Sequence, residues 1–294
     1  MVIMEAFDRR FNTLLGSWLG PRDQRVRGWL LLDNYSPTFA LTLVYLVVVW
    51  TGPKYMRHRQ PYSCRGVLVL YNAVHTLLSL CMFYQLVTAV WQGSYDFYCQ
   101  NTHSAQESDN KVMNVLWWYY FSKFIELMDT IFFILRKNNH QITFLHVYHH
   151  VSMLNIWWFV MNWLPCGHTY FGPCLNSFVH TVMYSYYGLS AIPAMRPYLW
   201  WKKYITQLQL IQFMLTVLHT MCAVIWPCGL PSGWLYFEIT YMFTLVIFFT
   251  NFYYKTYKKH KRDEDGSPRS INGRTNRTPS QELTAHRKDK LRTD

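Results

Sequence analysis

The stretch Ile142–Trp163, ITFLHVYHHVSMLNIWWFVMNW, decides how the chain is read. About 20 residues at ~1.5 Å rise cover the ~30 Å hydrocarbon core of a bilayer, so it is long enough to cross one as a helix. It contains no Asp, Glu, Lys or Arg, yet His146, His149 and His150 lie inside it. Spacing of i, i+3 and i+4 puts all three rings on one helical face, a polar stripe on an otherwise apolar rod. Polar groups at membrane depth are costly, and they usually face a bundle interior where they have a task. The chemistry is therefore sought on that face.

Composition agrees once local runs replace averages. Of the 294 residues, 51% are apolar and 18% aromatic, with 13 Trp, 22 Tyr and 19 Phe. The mean hydropathy of −0.03 is held down by a polar tail and by Tyr and Trp, residues that favour membrane interfaces. The chain reads as an all-α integral membrane protein. The formal net charge is +12. About half of it falls from Lys255 onward, where 12 of 28 Lys and Arg face 6 of 16 Asp and Glu. No basic face on a folded domain is visible, which argues against nucleic-acid binding. Seven Cys occur without a CxxC pair, so a zinc site of the usual spacing is not expected.

Working outward, apolar runs at 35–52, 66–91, 112–135, 142–162, 171–192, 204–226 and 234–256 predict seven transmembrane helices. Lys and Arg in the successive loops number 4, 1, 2, 0, 3 and 0, followed by the basic tail. That alternation places the C-terminus in the cytosol and the N-terminus on the exoplasmic, lumenal side, against the vote of five Arg before the first span. Residues 1–33 lack the apolar core of a signal peptide, so none is expected to be cleaved. Phe7, Phe11, Leu14, Leu15, Trp18 and Leu19 recur at helical spacing in this N-terminal arm and predict a short interfacial helix. Residues 34–257 form the seven-span domain. The tail 258–294 has too little apolar content to fold and is expected to be disordered. Cys99, Cys166 and Cys228 fall in lumenal loops, where disulfides can form, and Cys99–Cys228 is the expected pair.

Rise per residue places the polar groups within the spans. Measured from the cytosolic ends, Asp129 lies roughly 9 Å deep, Glu126 14 Å, Lys123 18 Å, His149 and His150 11 Å, and His180 18 Å. Gln209 and Gln212 fall at roughly 8 to 12 Å. Polar side chains from four helices thus gather in the cytosolic half, as around a chamber that opens to the cytosol.

These residues carry a resemblance. Lys123-x-x-Glu126-x-x-Asp129-Thr130, His146-Val-Tyr-His149-His150, Asn176-x-Phe178-x-His180-x-x-Met183-Tyr184-x-Tyr186-Tyr187 and Thr206-Gln207-x-Gln209-x-x-Gln212 occur in that order on consecutive spans. They resemble the four signature boxes of the very-long-chain fatty acid elongases, and the resemblance runs from about Arg22 to Tyr257. Stretches such as ILRKNNHQIT and MNWLPCGH are most similar to the vertebrate members that prefer polyunsaturated acyl chains. The resemblance implies an endoplasmic-reticulum condensing enzyme, a 3-oxoacyl-CoA synthase. It would join acyl-CoA and malonyl-CoA into a 3-oxoacyl-CoA two carbons longer, releasing CO2 and CoA. It also implies that the last six spans form an inverted barrel around a narrow tunnel, with the first span outside.

Chemistry fits that implication without a resident cofactor. Desolvation disfavours a charged imidazole, so a buried histidine stays neutral and nucleophilic. His149 is the candidate nucleophile for an acyl-imidazole intermediate. The remaining candidate catalytic residues are His146, His150, His180, Asn176, Lys123, Glu126 and Asp129. Among these, His180, Asn176 and Lys123 would meet developing oxyanions. Glu126 and Asp129 would orient the histidines or balance Lys123, and Lys123, Glu126 and Asp129 could equally be helix glue. Tyr187, Gln209 and Gln212 are candidate substrate-binding residues; the Gln face could equally serve interhelical hydrogen bonding, and Tyr187 packing at the interface. Lys137, Lys202, Lys203 and Lys255 lie on the cytosolic rim, where they could hold CoA phosphates or simply follow the charge rule of membrane topology. His75 and His219 read as core histidines. Membrane lipid, the two CoA substrates, the later reductases and dehydratase of elongation, and a second copy of the chain are the expected partners. Two other classes stay open. HxxHH also occurs in metal-dependent membrane desaturases and hydroxylases, though those need several histidine boxes. A seven-span receptor would place its polar groups toward the exoplasmic side. The ending Lys290-Leu-Arg292-Thr-Asp294 resembles a dibasic retrieval signal.

Overall fold

The computed structural model describes residues 2–102, 107–227 and 229–259. It divides into two compact units, Met1–Tyr253 and Tyr254–Asp294. The first is all-helical among its described residues: α1 (Val2–Leu19), α2 (Ser36–Met56), α3 (Arg65–Gln92), α4 (Glu107–Glu126), α5 (Met128–Leu135), α6 (Phe144–Trp163), α7 (Phe171–Ser190), α8 (Lys202–Ile225) and α9 (Ser232–Tyr253). The described part of the second unit is a π-helical turn, Tyr254–Lys259. Cys228, most of the expected disordered tail and the Lys290–Asp294 ending lie outside the described residues.

Among the described residues, four helical segments are long and apolar enough to cross a membrane: Ser36–Met56, Arg65–Gln92, Lys202–Ile225 and Ser232–Tyr257. The other apolar runs are helical too. Burial orders the bundle. α3 packs on α4, α4 on α6, α6 on α9, α9 on α8, α8 on α7, and α7 back on α3. The contact path through these six helices returns to its start. α2 is not on that path and packs against α1, α5 and α6. The main core cluster collects Leu86, Leu116, Tyr119, Tyr120, Leu154, Trp158, Met161 and Leu245, from helices of the ring.

The N-terminal arm is anchored rather than loose. The buried Asp8 carboxylate accepts from the Ser36 backbone N–H (3.1 Å) and hydroxyl (2.6 Å), capping α2 from a distant helix. Phe11 stacks on Tyr35, and three indole N–H groups, from Trp117, Trp158 and Trp163, donate to the carbonyls of Leu30, Leu31 and Gly20. Trp18, by contrast, is 81% exposed.

One interval differs from its sequence reading. The run 112–135 is two helices, α4 and α5, interrupted at Leu127. No Pro or Gly lies there. The Tyr71 hydroxyl of α3 donates to the Ile125 carbonyl at 3.1 Å, the acceptor that a continuous helix would offer to Asp129 N–H. Leu127 N–H bonds instead to Phe124, one residue nearer than α-helical spacing. A side chain inserted into the hydrogen-bond ladder is an established cause of helix interruption. It sends Glu126 and Asp129 to different neighbours.

Candidate functional site

α6 starts cleanly. Thr143 has extended backbone, and its hydroxyl accepts the His146 N–H, an N-cap that starts the helix just before its histidines. The helix ends at Trp163, two residues before Pro165. Along it, His149, Met153, Ile156, Trp157, Val160 and Leu164 recur on one face and line a cavity. The rise from His149 to Leu164 is roughly 22 Å. Facing residues come from α7 (Gly172, Pro173, Asn176), α8 (Gln212, Phe213, Thr216) and α9 (Trp234, Leu235, Tyr241, Leu245). Its lining is mostly apolar with a few polar groups, as is usual for small-molecule sites.

The histidine stripe divides. His149 lines the cavity. His146 and His150 turn toward α2 and α5: His146 Nε2 lies 2.7 Å from the Thr130 hydroxyl, which in turn is 3.0 Å from the Tyr45 hydroxyl. The His150 ring lies 4.4 Å from His146 and 6.4 Å from Tyr45. Helical geometry explains the split, since i and i+4 lie about 40° apart whereas i+3 falls about 60° to the other side. The three rings do not converge on one point. Among the described residues, no group of three or more His, Cys, Asp or Glu is placed to hold a metal ion.

Beside His149 runs a buried polar network. Lys123 Nζ donates to Glu126 Oε1 at 2.7 Å, and His180 Nδ1 lies 3.4 Å from the same oxygen. Lys123 also reaches Asn176 Oδ1 at 3.4 Å and sits over the Tyr119 ring, 4.2 Å from its centroid. Lys123, Glu126 and His180 all act electrostatically on His149. The opposite charges of Lys123 and Glu126 balance, as a buried pair requires. Among the described residues Asp129 bonds to no histidine; its carboxylate accepts from the Tyr184 hydroxyl at 2.9 Å and is also bonded by Tyr71.

Sequence reading missed Tyr119. This residue is 2% exposed, lines the cavity and donates its hydroxyl to Asn176 Oδ1 at 2.8 Å. Lys123 can only donate, so Asn176 must turn its oxygen toward Lys123 and Tyr119. Its amide NH2 then faces Gln212 Oε1 at 3.4 Å, and both residues line the cavity. The available signal was spacing: Tyr119 lies one turn before Lys123, on the face shared with Glu126.

The other predicted residues are dispersed. Gln209 lies against Met183, and Tyr187 is 40% exposed on α7. Lys137 follows α5 with a left-handed φ of 59° and donates to the Arg57 carbonyl. Lys202 and Lys203 are exposed at the start of α8, and Lys255 is exposed in the π-helical turn. None of these lines the cavity. Cys99 is disulfide-bonded, while its predicted partner Cys228 lies outside the described residues. Cys166 is a free, buried thiol that donates to the Thr102 carbonyl, and burial pushes its pKa up to about 12. His75 is 1% exposed and stacks on Tyr184, but neither ring nitrogen has a hydrogen-bond partner among the described residues.

Comparison with known proteins extends these observations. The family described as ELO: GNS1/SUR4 family matches residues 30–265. The chain is 66% identical over 296 residues to "Very long chain fatty acid elongase 5" of Tachysurus fulvidraco, covering 99% of this chain and 100% of that protein. It is 64% identical to the proteins of the same name from Mus musculus, over 95% of this chain and 96% of that one, and Homo sapiens, over 93% and 94%.

Proposed function

The chain belongs to the ELO: GNS1/SUR4 family, and on that footing we propose that it performs the condensing step of fatty acid elongation. As a 3-oxoacyl-CoA synthase it converts acyl-CoA and malonyl-CoA into a 3-oxoacyl-CoA two carbons longer, with release of CO2 and CoA. The desaturase and receptor readings are not favoured beside this family membership. The single observation that supports the enzymatic reading most is the position of His149, set on the wall of a long, largely apolar cavity.

In the proposed mechanism the acyl chain lies along the apolar wall of α6 with its thioester at His149. The unprotonated imidazole nitrogen attacks the carbonyl, a C–N bond forms and the C–S bond breaks. The CoA thiolate leaves with the proton lost from the other imidazole nitrogen, giving an acyl-imidazole and free CoA. Malonyl-CoA then loses CO2. Its enolate attacks the acyl carbon, the C–N bond breaks, and the imidazole regains a proton from water. Asn176 offers its amide N–H to a developing oxyanion, and Tyr119 and Lys123 hold that amide in place. Glu126 keeps Lys123 and His180 paired beside the nucleophile. His146, His150 and Asp129 support the α6 and α5 faces through Thr130, Tyr184 and Tyr71. No metal or resident cofactor takes part in this scheme.

The protein is placed in the endoplasmic reticulum membrane with seven spans: α2, α3, α4 together with α5, α6, α7, α8 and α9. Its N-terminus is lumenal and its C-terminus cytosolic, in keeping with the loop charges. In this reading the six helices of that contact path make an inverted barrel around the acyl tunnel. Lys137, Lys202 and Lys203 serve the CoA phosphates at the cytosolic rim. Polyunsaturated C18 and C20 chains are the proposed substrates; the later enzymes of the cycle and a second copy of the chain are proposed partners. Purified protein given malonyl-CoA and a panel of C18 and C20 acyl-CoAs should form 3-oxoacyl-CoA and CO2 in equal amounts, and folded His149→Ala should form neither. Product formation by that variant at the unaltered rate would overturn the role of His149.

A further inference from the structure

The end of the cavity away from His149 is not closed by hydrocarbon alone. Beyond Leu164 the chain turns through Gly167, whose left-handed φ of 72° sets the next residue, His168, against the cavity. His168 is 3% exposed, and neither of its ring nitrogens has a hydrogen-bond partner among the described residues. Its ring is held by stacking on His219 (4.0 Å between centroids, 8° between planes), which is backed in turn by Phe171 at 3.9 Å. Thr169 and Thr216, also on the wall, direct their hydroxyls to backbone carbonyls of Leu164, Cys166 and Gln212. His168 therefore retains hydrogen-bonding capacity that these threonines have committed elsewhere.

Buried polar groups almost always find partners, and an imidazole set in place without one calls for a bound polar group. Burial pushes the His168 pKa down to about 4, so the ring is neutral and offers one N–H donor and one acceptor nitrogen. A hydroxyl, itself both donor and acceptor, is the matching small group.

We propose that the His168 end of the cavity is a polar subsite for the far terminus of the acyl chain, which lets the protein elongate acyl-CoAs bearing a terminal hydroxyl. This rests on the reading above that the thioester sits at His149 and the chain runs along α6. An apolar pocket typically disfavours an added hydroxyl by about 10²-fold in kcat/KM. Here a terminal hydroxyl should cost less than about threefold, once the chain is long enough to reach His168.

The experiment compares terminally hydroxylated acyl-CoAs with their methyl-ended parents from C14 to C20, using the full chain and malonyl-CoA. The expected result is discrimination at short lengths that disappears at one length and beyond. In His168→Phe the hydroxyl-to-methyl ratio at that length should fall at least about tenfold. The ratio is internal to each variant, so it is independent of the fraction of folded protein. Strong discrimination against the hydroxyl at every length in the unaltered protein overturns the proposal, whether or not the variant folds. A ratio unchanged in folded His168→Phe overturns it too. Failure to elongate the methyl-ended parents would instead strike at the enzymatic reading itself.

Discussion

Tyr119→Phe removes one oxygen from the centre of the site and leaves the ring that packs on Trp157. In the structure that hydroxyl donates to Asn176 Oδ1 at 2.8 Å, while the second donor, Lys123 Nζ, stands off at 3.4 Å. The variant leaves a buried carbonyl oxygen with the longer bond only. A buried acceptor that loses its partner costs about 1–3 kcal/mol, and part of this should appear as lowered stability. The kinetic effect should be larger than the loss of packing suggests, because the Asn176 amide would no longer be fixed with its N–H groups turned from Lys123. Removing one oxyanion donor outright costs about 10²–10³ in kcat, and a loosened donor should cost about 10- to 100-fold. KM for acyl-CoA should move less than about threefold, since the apolar wall is untouched. The assay is steady-state condensation with purified protein, coupled to a double-mutant cycle with Asn176→Leu. If Tyr119 acts through Asn176, adding Tyr119→Phe to Asn176→Leu should cost almost nothing further. Full additivity of the two changes, or an unaltered kcat in Tyr119→Phe, would refute the positioning role.

Further outcomes follow from the same packing. Lys123→Met strands the buried Glu126 carboxylate and should destabilise the protein by about 3–5 kcal/mol, whereas Lys123→Met with Glu126→Gln should recover much of that loss in detergent unfolding measurements. Asp8→Ala uncaps α2 and should cost about 1–2 kcal/mol, with faster proteolysis of α1 as its local signature. His168 has its folded pKa lowered to about 4 from an unfolded value near 6.5, so only the unfolded chain takes up a proton between those values. Stability should accordingly fall as pH drops through that window, by about 2 kcal/mol at pH 5, and His168→Phe should flatten the pH dependence of unfolding.

Much of the fold was legible because its signals are local. Apolar run length located α2, α3 and α6 to α9 within a few residues and read α4 and α5 as one run, although Pro53 within α2 and the early start of α4 at Glu107 blur two boundaries. The interruption at Leu127 was not legible, since its cause is the Tyr71 hydroxyl from another helix. The site follows the same division. The i, i+3, i+4 spacing correctly grouped His146, His149 and His150 on one side of α6, but that side is broad enough to be shared between the cavity and α2. Which neighbour each ring meets depends on Thr130, Tyr45 and the position of α2, and periodicity carries none of that. Glu126 reached its expected partner because Lys123 is three residues away on the same turn. Asp129 went elsewhere once the helix broke. Tyr119 was hidden among the many aromatic residues of α4, and His168 by its place in a loop.

The most direct test omits malonyl-CoA altogether. Purified protein mixed with acyl-CoA alone should release close to one CoA per active site in a rapid burst. Intact-mass and peptide analysis should then find the acyl group on His149, absent from folded His149→Ala. A competent enzyme that releases no CoA and carries no adduct until malonyl-CoA is added would contradict covalent catalysis by His149.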